Sequence, residues 1–303
     1  MKRIIFLMLA LASLSSARAQ GVTIDSSDGN NDLNLWIAAG VTKKLARQWS
    51  VDLGGELRLA DNVSSVGRFS LGAMVNYKPV NLLRLSAGYE FIDSHSAAKN
   101  KADYNSEGGW NGLNYKQTDA FWRPRHRIKA EVSAEAPKLW KCIRISGRVR
   151  YQFTYSGALS VPRQSFKFYS SDQAPEDAYD ELDDEGRIIH HEAVPEHFRG
   201  DLKPGYPVSD PKEYAATKDH CLRSRIKVAY ERKRCAWSPY VGFEFFNDLG
   251  SSMTLDKTRL SVGCDYQLTK HHELGLAYLL TTEYDGAAKS RIHAINLGYN
   301  YKF

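Results

Sequence analysis

From Leu33 to Phe303, apolar residues recur at every second position. In 49–59, Trp49, Val51, Leu53, Gly55, Leu57 and Leu59 share one side, and Ser50, Asp52, Gly54, Glu56 and Arg58 share the other. In 143–155, Ile143, Ile145, Gly147, Val149, Tyr151, Phe153 and Tyr155 oppose Arg144, Ser146, Arg148, Arg150, Gln152 and Thr154. Successive side chains leave a strand on opposite faces, so period two means half-buried β-strand. The alternation predicts eleven strands, near 33–42, 49–60, 66–78, 82–93, 121–136, 141–156, 217–232, 237–247, 255–268, 271–284 and 289–303. Most are as long as the ~9–11 residues that a tilted transmembrane strand needs.

The connections alternate in length. Those near 43–48, 79–81, 137–140, 233–236 and 269–270 are short, whereas 94–120 and 157–216 are long. Outer-membrane barrels have short periplasmic turns and long outer loops. Trp49, Tyr77, Trp140 and Trp237 sit beside the short turns, where amphipathic rings would meet the membrane–water boundary. The fold expected is all-β: a closed antiparallel transmembrane barrel of about twelve strands. Eleven are visible. The twelfth follows from parity, because both ends belong in the periplasm, and a short strand around Gln20 to Asp25 would supply it. The alternative is that residues 20–32 thread the lumen and the barrel closes with fewer strands.

The N-terminus fits export. Lys2 and Arg3 precede an apolar run, Ile4 to Leu14, that is too short to span a bilayer, and Ala17-Arg18-Ala19 is an A-x-A site. Residues 1–19 read as a signal peptide, and 20–303 as a barrel in the outer membrane of a Gram-negative bacterium. Composition agrees: 43% hydrophobic and 25% charged residues exclude a disordered tail. Loss of the leader leaves 38 cationic against 35 anionic residues, too small an excess to argue for nucleic acid. The last strand ends in Tyr299, Tyr301 and Phe303. This aromatic end resembles the assembly signal of outer-membrane barrels, and it implies the barrel assembly machinery as a partner.

With the apolar face toward lipid, three neighbouring strands turn a basic face to the lumen. Its residues are Arg123, Arg125, Arg127 and Lys129, then Arg144, Arg148 and Arg150, then Arg223, Arg225 and Lys227. Asp52, Glu56, Glu90, Glu244, Asp265, Glu273 and Glu283 come from the other strands. One arc would be cationic and the rest largely anionic. These side chains could fill a narrow lumen as a salt-bridge network, or attract an anionic solute into a passage. The acidic stretch Asp172 to Glu185 could also fold onto the basic arc as a plug.

Chemistry is sparse. Asp93, Ser94, His95 and Ser96 lie where a strand meets a long loop, but no separate strand supplies a nucleophile–base set. His190, His191, Glu192, Glu196 and His197 lack the H-E-x-x-H order, and no cofactor or metal is expected. His220, His293 and Arg291 should face outward near the outer rim, where lipopolysaccharide phosphate could lie. Cys142 and Cys235 sit at one end of sequential strands, so a disulfide between them is possible in an oxidising compartment.

The stretch Asp32-Leu33-Asn34-Leu35-Trp36 leads into Lys43-Lys44-Leu45 and Trp49-Ser50-Val51. Gly55-Glu56-Leu57-Arg58 with Asp61-Asn62, and Leu85-Ser86-Ala87-Gly88-Tyr89, follow. In these fragments the chain resembles the uncharacterised outer-membrane proteins grouped as domain-of-unknown-function family 2490. The resemblance implies a barrel over nearly the whole mature chain and brings no catalytic residue. The role expected is a structural barrel or narrow pore in contact with outer-membrane lipid and lipopolysaccharide. The alternatives are a lipid-acting enzyme, or adhesion through the long loops.

Overall fold

The computed structural model describes residues 33–105, 112–137, 139–140, 142–170, 202–204, 208–232, 235–250, 252–285 and 288–303. The expected leader at 1–19 and the expected strand around Gln20 to Asp25 lie outside them, as do the acidic stretch 172–185 and the histidines at 190–197. All the regular structure is β. In chain order the strands are β1 (Leu33–Lys44), β2 (Trp49–Ala60), β3 (Ser65–Val80), β4 (Leu83–Ser96), β5 (Lys99–Asn105), β6 (Gly112–Thr118), β7 (Phe121–Glu135), β8 (Ile143–Ser156) and β9 (Leu159–Val161). They continue as β10 (Arg163–Ser170), β11 (Leu202–Pro204), β12 (Val208–Ser209), β13 (Lys212–Tyr214), β14 (Thr217–Tyr230), β15 (Trp237–Asp248), β16 (Thr254–Gln267), β17 (His272–Asp285) and β18 (Ala288–Lys302).

Eleven strands close a barrel in the order β1-β18-β17-β16-β15-β14-β8-β7-β4-β3-β2. They are the eleven that the alternation predicts, with ends shifted by up to three residues. The closed barrel and its count agree with the expected barrel of about twelve strands; the one departure from an all-antiparallel ring is its closure. β1 pairs in parallel with β18, from Leu33 opposite His293 to Thr42 opposite Lys302. An odd number of strands joined up and down leaves the first and last pointing the same way, so they can close the ring only in parallel. Among the described residues each barrel strand then has two neighbours in the ring.

The remaining strands form a second compact unit built from 96–121 and 159–214, within the two long connections. β5, β6, β10 and β11 make one sheet, with β12 also paired to β10, and β9 pairs with β13. Arg163 reaches Asp210 at 2.7 Å, and Val161 is fully buried. Alternation read only as loops here misses these short strands.

The barrel inverts the usual burial pattern. Its outward positions are apolar and exposed: Leu53, Leu71, Ile128, Ile226, Val241 and Leu276 are each at least half exposed. Its buried positions are largely polar, among them Ser70, Asn76, Lys129, Gln152, Thr154, Glu244 and Thr281. Contiguous apolar surface on this scale marks an interaction face rather than a solvated one. At the short-turn end, rings stand directly opposite one another across strand pairs. Trp49 meets Tyr77 at 4.7 Å and Trp237 meets Tyr266 at 4.3 Å. Tyr301 meets Phe303 edge-on at 4.5 Å, and Lys43 lies over the Phe303 ring. Tyr299 is hydrogen-bonded to His272 at 2.8 Å.

Candidate functional site

Strand alternation turns Arg58 of β2, Trp36 of β1, Arg259 of β16, Phe246 of β15 and Arg223 of β14 into the interior. There they stack. The Arg58 guanidinium lies 3.7 Å from the Trp36 ring centroid, and Arg259 lies 4.8 Å from the same ring. Arg259 and Arg223 then hold the Phe246 ring at 5.1 and 4.7 Å. Between Trp36 and Arg259 the stack skips β18 and β17, so it cuts a chord across the lumen. Planar guanidinium groups stack well on aromatic faces because charge meets the ring quadrupole, and desolvated contacts of this kind reach about 2 kcal/mol. Trp36 also packs with Ala277, Leu279 and Ala294, an apolar knot on the inner wall, with Tyr240 beside it.

Carboxylates bind the stack to the wall. Glu244 is 4% exposed and serves four guanidinium groups. Arg148 Nη2 donates to it at 3.0 Å and Arg223 Nε at 3.1 Å. Arg225 and Arg259 lie at 3.7 and 3.8 Å. Glu131 accepts from Arg150 at 2.6 Å and faces Arg148 at 3.8 Å. Glu90 faces Arg127 at 3.3 Å, Lys129 at 3.4 Å and Arg68 at 3.9 Å. Glu56 pairs with Arg58 at 2.6 Å.

The fold thus brings together most of the basic residues read from the sequence, in three clusters, each around one carboxylate. The others lie apart. Arg123 donates to the carbonyls of Gly157 and Ala215 at one end of the barrel. Arg144 bridges Glu135 and Glu231 at the other. Lys227 pairs with Asp265 at 3.1 Å and lies over Tyr240. Glu283 pairs with Lys257, Glu273 pairs with Lys302, and Asp52 accepts from Asn76 at 2.8 Å.

The expected division, one cationic arc and a largely anionic remainder, is mixed on both sides. Glu131 and Glu135 sit on β7 amid its basic residues, and Arg58, Arg68 and Arg259 come from strands counted as acidic. Alternation places these residues inward, but a count of charge strand by strand gives them no weight. Trp36, Tyr240 and Phe246 are missed for a different reason: apolar residues at inward positions look like breaks in the pattern.

Toward the short-turn end, a cavity of about 460 Å³ opens inside the barrel. Its wall is bare. Gly40, Gly54 and Gly72 stand side by side on β1, β2 and β3, and Gly275 stands beside Gly298 on β17 and β18. A Cβ on Gly40 would come within 3.2 Å of Asn300, and one on Gly275 within 3.3 Å of Asp265. Asp52, Glu56, Glu90, Lys129, Asp265 and Glu273 surround this space.

All four cysteines are free, which corrects the Cys142–Cys235 bond. Tyr230 pairs with Ile143, and Glu231 N donates to Cys142 O at 2.6 Å. Cys142 thus faces position 231, four residues short of Cys235. His95 meets the Trp122 ring at 5.0 Å. His126, His220 and His293 each hydrogen-bond a tyrosine on the next strand, Tyr89, Tyr151 and Tyr278, at 2.5–2.7 Å.

Residues 33–174 match the family described as Protein of unknown function (DUF2490). This is the family that the sequence resembles, and the match runs from β1 past β10. No curated protein matches the chain.

Proposed function

We propose that this chain is an integral outer-membrane barrel of a Gram-negative envelope, non-enzymatic, with its lumen held shut. The apolar outer face and the ring pairs at the short-turn end support a membrane location, since lipid tails would cover the first and the headgroup boundary would hold the second. Bacterial outer-membrane barrels are even-stranded as a rule, but an odd-stranded mitochondrial barrel spans its membrane, so an odd count is compatible with a transmembrane ring.

The observation that carries the sealed lumen is the Arg58–Trp36–Arg259–Phe246–Arg223 stack. Eight-stranded barrels are filled by side chains and 16–18-stranded ones are open channels. At eleven strands, closure depends on which residues point inward. Here long guanidinium side chains, two large rings and buried carboxylates occupy the waist, and the open space lies to one side of them. The function is then that of a structural barrel, or of a narrow pore that conducts only when the stack parts.

Planar-bilayer recording of the purified protein tests this. The wild type should be silent at moderate voltage. Trp36→Ala with Phe246→Ala should give discrete steps that favour anions, because the cations at the waist remain. Large steady steps from the wild type would overturn the proposal.

A further inference from the structure

The charges at the waist do not balance. Three carboxylates, Glu90, Glu131 and Glu244, serve eight cations between them. Arg125 adds a ninth. Among the described residues its side chain has no hydrogen-bonded or ion-paired partner, and its Nε is buried. Asp93 and Asp219 act on it only at a distance. The Nε atom of Arg68 is likewise buried without a hydrogen-bond acceptor. Arg127, beside them, is close enough to feel Arg58, Arg125 and Arg223 as well as Glu90. Like charges held together out of bulk water repel strongly, because little solvent screens them. An arrangement of this kind persists when a counter-charge joins it.

We infer that the lumen binds a small multivalent oxyanion of the phosphate class between Arg68, Arg125 and Arg127. Guanidinium forks present paired N–H donors that match the oxygens of such an anion. The unpaired Nε groups give it donors that no carboxylate already occupies. Glu90 lies on the same patch and repels the anion, while Glu56, already paired with Arg58, and the more distant Asp93 and Asp219 oppose it less. The inference rests on the closed interior proposed above but not on silence in a bilayer. A conducting barrel could still hold the anion, and a sealed one could lack it.

The test is unfolding of the detergent-refolded full chain, in phosphate-free detergent, at constant ionic strength. Inorganic phosphate should raise the unfolding midpoint in a saturable way, sulfate should do so less, and chloride should not. Arg125→Gln leaves no carboxylate orphaned, so it should fold. It should weaken the apparent phosphate affinity at least tenfold, and Arg68→Gln should act in the same direction. A second arm adds micelles of anionic phospholipid in place of phosphate. Equal effects of phosphate and chloride overturn the inference, as does an unchanged phosphate response in Arg125→Gln. A response to the lipid alone places the binding on the outer face and overturns it too.

Discussion

The inner and outer faces of the barrel are made by the same strands and obey opposite rules. On β17, Leu274, Leu276 and Tyr278 point outward and are exposed, while Ala277, Leu279 and Thr281 point inward and are buried. The outer face makes few specific contacts. Its polar groups neutralise one another locally, as in the tyrosine–histidine pairs across neighbouring strands. The inner face is a network in which one carboxylate, Glu244, touches guanidinium groups from β8, β14 and β16. Substitution tolerance should differ accordingly. Outside, only the physical class of the side chain matters; inside, the identity of the partner matters.

The largest effect is expected inside. Glu244→Gln leaves four guanidinium groups without their shared counter-charge, and removing one partner of a buried pair costs about 3–5 kcal/mol. Denaturant unfolding of the refolded barrel checks this, and Glu244→Asp should recover part of the loss. On the outer face, Leu276→Arg should cost about 2–4 kcal/mol in lipid, the range for a cation at the bilayer midplane. Leu276→Phe should be near neutral. A cost for Leu276→Arg in lipid below 1 kcal/mol would erase the distinction between the faces.

Smaller effects sharpen it. Tyr278→Phe removes one outward hydrogen bond to His293 and should cost about 0.5–1.5 kcal/mol, well below any loss at Glu244. Changing Cys142 and Cys235 together to Ser should leave the unfolding midpoint unchanged under oxidising and reducing conditions alike. A reductant-sensitive midpoint in the wild type would show that the two thiols meet after all.

Much of this division is legible in the sequence. Period two alone locates all eleven barrel strands, because a wall that is apolar on one side and polar on the other leaves every second position constrained. What period two cannot convey is height and partnership. Glu131 and Arg150 are nineteen residues apart on adjacent strands, and their meeting depends on the register of β7 with β8. Cys142 misses Cys235 for the same reason, since the register of β8 with β14 sets Cys142 against Glu231. Parity suggests a twelfth strand because it assumes an antiparallel closure. The parallel pair of β1 and β18 is a contact between the two ends of the barrel, and no local pattern encodes it. Trp36 and Phe246 escape notice because a ring facing inward has the same letter as a ring facing outward.

The most direct measurement uses single cysteines at consecutive positions of β17 in a background free of the native four. Leu274, Gly275, Leu276, Ala277 and Tyr278 are each replaced in turn, and the purified protein is labelled with a small environment-sensitive fluorophore before refolding into vesicles of lipid brominated on the acyl chain. The account predicts strong quenching at 274, 276 and 278 and little at 275 and 277. Uniform quenching, or none at any position in a protein that stays monomeric in water without detergent, would contradict it.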